Sequence, residues 1–346
     1  MNKITALDMN WVGRPKSIAA ALLESENHRA LIDPGPESTL ATLREQLGQR
    51  GITIFDLNAI LLTHIHLDHA GATGKLVREN PKLKVYVHAN GAPHMVDPSK
   101  LLASAGRLWG DQLPILFGET LPVPQENLQI LEGGETLNLG KRQLDVAYTP
   151  GHASHHVTYF DDVEGLAFIG DVGGIRIDNG PYILPATPPP DVDLTLWDRS
   201  FETILSRRPS KLFLTHFAWS NDPAAHLAEF RERLHRWSAT AESALRNAAI
   251  VAKSSEPRSP ANAEITHKAA TANAGGSKSV ATDEAARAAA AKIEAIAMQA
   301  FVKECRAEMD ATLGPAESEH HAFTGGLDLS FQGLSRYHRK RPDALP

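Results

Sequence analysis

Thr63-His64-Ile65-His66-Leu67-Asp68-His69-Ala70-Gly71 decides how this chain is read. The apolar run Ala59-Ile60-Leu61-Leu62-Thr63 leads into it and has the length and bulk of a buried strand. His64 and His66, two apart at the strand exit, can point to the same side, and Asp68 and His69 approach from a second direction as the next helix begins. Four ligand-type side chains lie within six residues, so one loop can serve two metal centres. Imidazole with carboxylate favours zinc, and iron or manganese can use the same set. A plain helix cap would need Asp68 alone.

Working outward, Ile18–Leu23 and Arg29–Asp33 read as strands, the second ended by Asp33-Pro34-Gly35-Pro36. Leu40, Leu43 and Leu47 recur at helical spacing and Gly51 closes that helix. Residues 72–80 read as a helix and Lys84–His88 as a strand, a layered α/β order. Hairpins are expected over 128–170, then a helix over 194–206, a buried strand Lys211–Thr215 and a helix over 223–250. Three regions follow: a catalytic domain over 1–250, a flexible linker over 251–282 and a helical C-terminal extension over 283–346. The linker expectation rests on Ser, Pro, Ala, Asn and Gly richness, which leaves too little apolar surface to offset ordering entropy. In the extension, Ala291, Ala295, Met298, Val302, Cys305 and Met309 share one helical face, which would dock on the main body or on a second subunit in a homodimer. The stretch Gln332–Arg341, with its basic run, reads as a solvated tail.

The first motif resembles the His-x-His-x-Asp-His signature of metallo-β-lactamase-fold hydrolases, and later segments resemble that superfamily's remaining ligand turns. Thr149-Pro150-Gly151-His152 resembles the turn carrying the third histidine of the first site. Ile169-Gly170-Asp171 resembles the strand end that delivers a bridging carboxylate, and Leu214-Thr215-His216 the one that completes the second site. The resemblance implies an α/β fold, an αββα sandwich, with His64, His66, Asp68, His69, His152, Asp171 and His216 holding two Zn2+ per chain. It also implies a supporting carboxylate at Asp33 and a helper histidine at His156. Within the superfamily, Thr149–His156 is closest in pattern to the glyoxalase II branch. The basic glutathione-binding residues of true glyoxalase II have no clear counterpart on the C-terminal helices.

Composition narrows the function classes. Over 346 residues, 42% hydrophobic and 22% charged residues exclude a wholly disordered or collagen-like chain. No run of eighteen apolar residues spans a bilayer, and the start lacks a secretory pattern, so a cytoplasmic protein without a membrane partner is expected. A net charge of −6 gives no footprint for nucleic acid, and the single Cys305 excludes an intrachain disulfide or a cysteine-rich zinc cluster. A small-molecule substrate is what the resemblance implies.

In such a site, a water bridging two zinc ions roughly 3.5–4 Å apart loses its proton near neutral pH and attacks. The expected activity is therefore hydrolysis of an ester-like bond (thioester, ester or lactone), with Asp68 also passing a proton to the leaving group. Two alternatives stand beside it: a one-iron persulfide dioxygenase using His64, His66 and His152, and a scaffold that kept the fold without activity. Pocket walls are expected from 91–114 and 178–190, with Arg176 and Tyr182 as candidate substrate contacts.

Overall fold

The structure, a computed structural model, describes residues 2–254 and 277–341. The first sheet holds β1 (Asn2–Asp8), β2 (Ala19–Ser25), β3 (His28–Ile32), β4 (Ala59–Leu61), β5 (Lys84–His88) and β6 (Leu128–Leu131), in that spatial order. β1, β2 and β3 are antiparallel, and β3 to β6 run parallel. Parallel neighbours need crossovers. These are supplied by α1 (Leu40–Gly48), by α2 (Leu67–Ala70) with α3 (Thr73–Glu79), and by α4 (Ala92–Val96), α5 (Ser99–Trp109) and α6 (Leu113–Phe117).

The second sheet is built from β7 (Thr136–Leu139), β8 (Arg142–Tyr148), β9 (Val157–Asp161), β10 (Leu166–Phe168), β11 (Lys211–Leu214) and β12 (Ala218–Ser220). Its spatial order is β12-β11-β10-β9-β8-β7, with β10 and β11 the parallel pair joined through α7 (Leu194–Ser206). The C-terminal part is helical: α8 (Pro223–Ser254), α9 (Ser277–Leu313), α10 (Pro315–Gly325) and α11 (Leu327–Arg339).

Side-chain alternation along the strands sorts these elements into four layers. On β2, Ala19, Ala21 and Leu23 face the second sheet and meet Leu144, Val146, Tyr159, Phe168 and Phe213, whereas Ala20 and Leu22 face outward to the α1 and α3 side. On β11, Phe213 points between the sheets, and Leu212 and Leu214 point out to Trp197, Phe230 and Trp237. Both strand faces are buried, which is why these segments read as continuous apolar runs. The result is the expected αββα sandwich.

The C-terminal extension departs from its sequence reading in two ways. Ala297, Phe301, Cys305 and Met309 of α9 are buried in the same apolar cluster as α7 and α8, while Ala291 and Ala295 of the expected stripe are exposed. The helix docks on the main body, and Cys305 is buried there. The stretch read as a solvated tail is mostly α11, where Leu327, Phe331, Leu334 and His338 recur at helical spacing and are buried. Basic residues on the other face of the helix masked that stripe. Most of the linker expected over 251–282 lies outside the described residues, and its ends, 251–254 and 277–282, are helical. Among the described residues, no helix is long and apolar enough to cross a membrane.

Candidate metal centre

Asp33 is the organising residue at the edge of the site. Fully buried just after β3, it has a φ of +49°, a region that Asp tolerates better than most side chains because it is short and bonds locally. Its Oδ1 accepts the Thr63 backbone N–H at 2.8 Å. Its Oδ2 accepts the Thr63 hydroxyl at 2.7 Å, the Thr215 hydroxyl at 2.8 Å and the His69 Nδ1–H at 2.9 Å. One carboxylate thus ties together the exits of β4 and β11 and the helix that bears His69.

These bonds also settle which ring nitrogens face inward. Because the Thr63 hydroxyl donates to Asp33, it is left to accept from His64 Nδ1 at 3.1 Å. His152 gives Nδ1–H to the Ala186 carbonyl at 2.9 Å, and His216 gives Nδ1–H to the Ser17 carbonyl at 2.6 Å. His64, His69, His152 and His216 are therefore assigned the tautomer that leaves Nε2 as a bare lone pair turned to the centre. His66 instead turns Nδ1 inward, 3.0 Å from His64 Nε2 and 2.9 Å from His152 Nε2.

All seven residues singled out from the sequence come together. Three overlapping groups have their ligand atoms within 4.8 Å of one another: His64, His66 and His152; His64, His69 and Asp171; and Asp68, His69 and His216. Asp171, on the 3-10 turn Gly170–Gly173, spans them. Its Oδ1 lies 3.1 Å from His69 Nε2 and 3.6 Å from His216 Nε2, and its Oδ2 lies 3.5 Å from His152 Nε2. His216 Nε2 is 3.3 Å from Asp68 Oδ2.

Two glycines let the backbone come this close. A Cβ on Gly151 would fall 2.4 Å from the Trp197 Cα, and one on Gly170 would fall 2.6 Å from the Thr63 hydroxyl oxygen; both have positive φ, +139° and +45°. His156 supports from behind, bonding Thr149 at 3.0 Å and stacking on His64 with ring centroids 5.2 Å apart.

The electrostatics split the set. Burial drives His64 well below its ordinary value, aided by neighbouring His69 and His66, and burial with His152 takes His66 down to about 4. Burial works against the charged form of Asp68, but His69 and His216 outweigh it and hold the carboxyl at about 2. Asp171 is held well below its ordinary value in the same way, chiefly by His69 and His216. Burial would also lower His69 and His216, yet the acidic neighbours, Asp171 foremost, raise both.

A metal fits these residues. His64 Nε2 and His152 Nε2 both face the single His66 Nδ1, which has at most one proton to offer the two of them, and His69 Nε2 and Asp171 Oδ1 are buried without a hydrogen-bond partner. Buried lone pairs left facing each other are costly, and a cation between them removes the cost.

The site opens into a cleft of about 420 Å3, within the range of small-molecule pockets. Its walls include Lys100, Leu101, Arg107 and Trp109 from α5, Ala186 and Pro188–Pro190, so both expected wall segments take part. Neither Arg176 nor Tyr182 lines it. Arg176 Nε is bonded to the Gly180 carbonyl at 2.9 Å, and Tyr182 is buried under the Arg233 guanidinium at 4.0 Å. Sequence proximity to Asp171 misled because, although Ile175 still lines the cleft, the side chains of Arg176 and Tyr182 are turned to other partners.

Sequence reading also missed several lining residues. His155 sits in the quoted ligand turn, is 8% exposed and lines the cleft beside His66. Thr324, Gly325 and Leu329 reach it from α10 and α11. The helical spacing of Leu327, Phe331 and Leu334 was the available signal for the latter.

The fold and this centre together define a metallohydrolase-type protein, and comparison with known proteins assigns the family. Residues 13–216 match the metallo-beta-lactamase superfamily, and the chain belongs to it. Among similar proteins is the metallo-beta-lactamase fold-containing protein ST1585 of Sulfurisphaera tokodaii, 27% identical over 58% of this chain and 73% of that one. Another is the probable metallo-hydrolase YqgX of Bacillus subtilis, 34% identical over 46% of this chain and 70% of that protein. A hydroxyacylglutathione hydrolase of Aeromonas salmonicida is 28% identical over 43% of this chain, a match spanning 44% of that enzyme. The crystal structure of ST1585 superposes with a TM-score of 0.57 at 21% identity, covering 88% of this chain and 99% of that one. This likeness extends the shared fold into the C-terminal helices.

Proposed function

We propose that the chain is a binuclear metal-dependent hydrolase of an ester-like bond (a thioester, ester or lactone), with two zinc ions as the resident metals. The observation that carries the reading is the placement of Asp171, whose two oxygens face different histidine groups across a buried gap. His64, His66 and His152 would hold one ion, Asp68, His69 and His216 the other, and Asp171 both. Two such ions supply Lewis acidity toward the scissile carbonyl and acidify a water for attack near neutral pH.

The chain's own residues then do the positioning. Ala186 and Ser17 fix the rings of His152 and His216 through their carbonyls, and Asp33 fixes that of His69. Asp68, with a side chain 22% exposed against 5% for Asp171, is the carboxylate open to the cleft. It is the group assigned to pass a proton to the leaving group. Similarity to proteins named hydroxyacylglutathione hydrolase supports an acyl bond as the one broken.

A panel of thioesters, lactones and phosphodiesters assayed with the zinc-loaded protein tests the reading. Turnover of an acyl substrate that disappears in Asp171→Ala, with lower metal content, is the expected result. Full metal and full rate in that variant would sink the two-ion arrangement.

A further inference from the structure

The α5 helix brings two parallel stripes to the cleft. Leu101, Ala105 and Leu108 form one and Lys100, Ser104 and Arg107 the other, each at i, i+4, i+7, and all six line the cavity that opens onto the metal centre. Leu101 and Leu108 are only half-buried, so apolar surface faces the cavity. Lys100 and Arg107 are exposed and stand seven residues apart, roughly 10 Å along the helix.

The two cations are uncommitted. Where Lys75 and Arg207 hold carboxylates at 2.7 and 2.5 Å, Lys100 and Arg107 hold none among the described residues. Asp97, which feels the charge of Lys100, has its Oδ1 engaged by the Ser99 backbone N–H at 3.0 Å. Asp191, which also lines the cleft, is tied to the Ser154 hydroxyl and backbone N–H.

We infer that α5 is a specificity helix for an amphipathic anionic substrate: its leucine stripe takes an apolar chain, and Lys100 with Arg107 take an anionic end group, a carboxylate or a phosphate. The inference rests on the hydrolase reading for the bond that is broken, and not for the anion subsite itself. An apolar wall fixes the chain without direction, and the cations at its edge set which end lies outward, leaving the scissile bond at the metals. Because the cations are solvent-exposed, their effect is modest and screened by salt.

The test compares two 4-nitrophenyl esters of one six-carbon dicarboxylic acid, one with its far carboxylate free and one with it methyl-capped, using the zinc-loaded full chain. The free-carboxylate ester is expected to have the higher kcat/KM by roughly fivefold. That ratio should fall toward one in the Lys100→Gln/Arg107→Gln variant and in high salt. Equal rates in the wild type, or a preference that survives the double substitution, would overturn the inference.

Calorimetry with non-hydrolysable alkyl carboxylate and alkyl phosphate of the same length separates this claim from the hydrolase reading. Should neither ester be cleaved, binding that weakens roughly fivefold in the double variant still supports the anion subsite, and binding that does not weaken rejects it. The tighter of the two probes identifies the end group. A circular dichroism melt matching the wild type shows that the variant is folded.

Discussion

Asp33 shows how one residue can hold a site together without touching substrate. It accepts four hydrogen bonds, two of them from Thr63, and none of those donors has another described acceptor on the same atom. Asp33→Ala would strand buried donors on three elements. A loss of about 3 kcal/mol or more in urea unfolding is expected, with metal affinity down roughly 10- to 100-fold by competition against a chelator. A variant with unchanged stability and affinity would show that the ring orientations are fixed by other means.

Gly151→Ala tests the close approach to Trp197, because the new Cβ would sit 2.4 Å from backbone. A Tm drop of several degrees is expected, about 1–3 kcal/mol of overpacking. The grouping of the seven side chains was legible in the chain, since His64 to His69, then His152, Asp171 and His216 follow strand ends in order; the Asp33 bonds to Thr63 and Thr215 and the Gly151 approach to Trp197 were not, because they depend on packing between segments far apart in sequence. The roles of Ser17 and Ala186 were not, because a backbone carbonyl carries no sequence signature.

At the scale of elements, α11 is the least expected contributor. Its Gly333 lies against the Thr187 carbonyl, where a Cβ would come within 1.9 Å, and Thr187 Oγ1 donates to the Ser330 carbonyl at 3.1 Å. This packing sets the position of the segment whose Ala186 carbonyl orients His152. Gly333→Ala should therefore destabilise the fold and lower metal affinity together. Phe331→Ala, which empties a fully buried position in the shared core, should cost about 3–5 kcal/mol. If Phe331→Ala left the urea midpoint unchanged, α11 would be an appendage after all. The strands and α7 were readable from alternation and spacing, because their apolar pattern matches one structural period. The five-residue helices α4 and α6 were not, as each is short and carries Pro in its first turn.

For the whole molecule, two sheets meet face to face and the loops at one edge converge on a buried set of imidazoles and carboxylates. Burying histidines neutral ties stability to pH. His226, away from the ligand set, bonds the Gly173 carbonyl at 2.8 Å, and burial lowers it to about 4 from an ordinary 6.5. The unfolded chain binds that proton more readily between the two values. Its contribution is therefore full above pH 6.5 and is lost as pH falls toward 4. Replacing it in His226→Gln should flatten the pH dependence of metal-free Tm across that window; an unchanged slope would assign the effect to other groups.

The central claim is that seven residues form one two-ion centre, and elemental analysis of zinc-reconstituted, desalted protein tests it most directly. About two zinc ions per chain are predicted for the wild type, with a clear loss in Asp171→Ala. A chain that retains no metal, or an Asp171→Ala variant that keeps the full complement, would contradict the account.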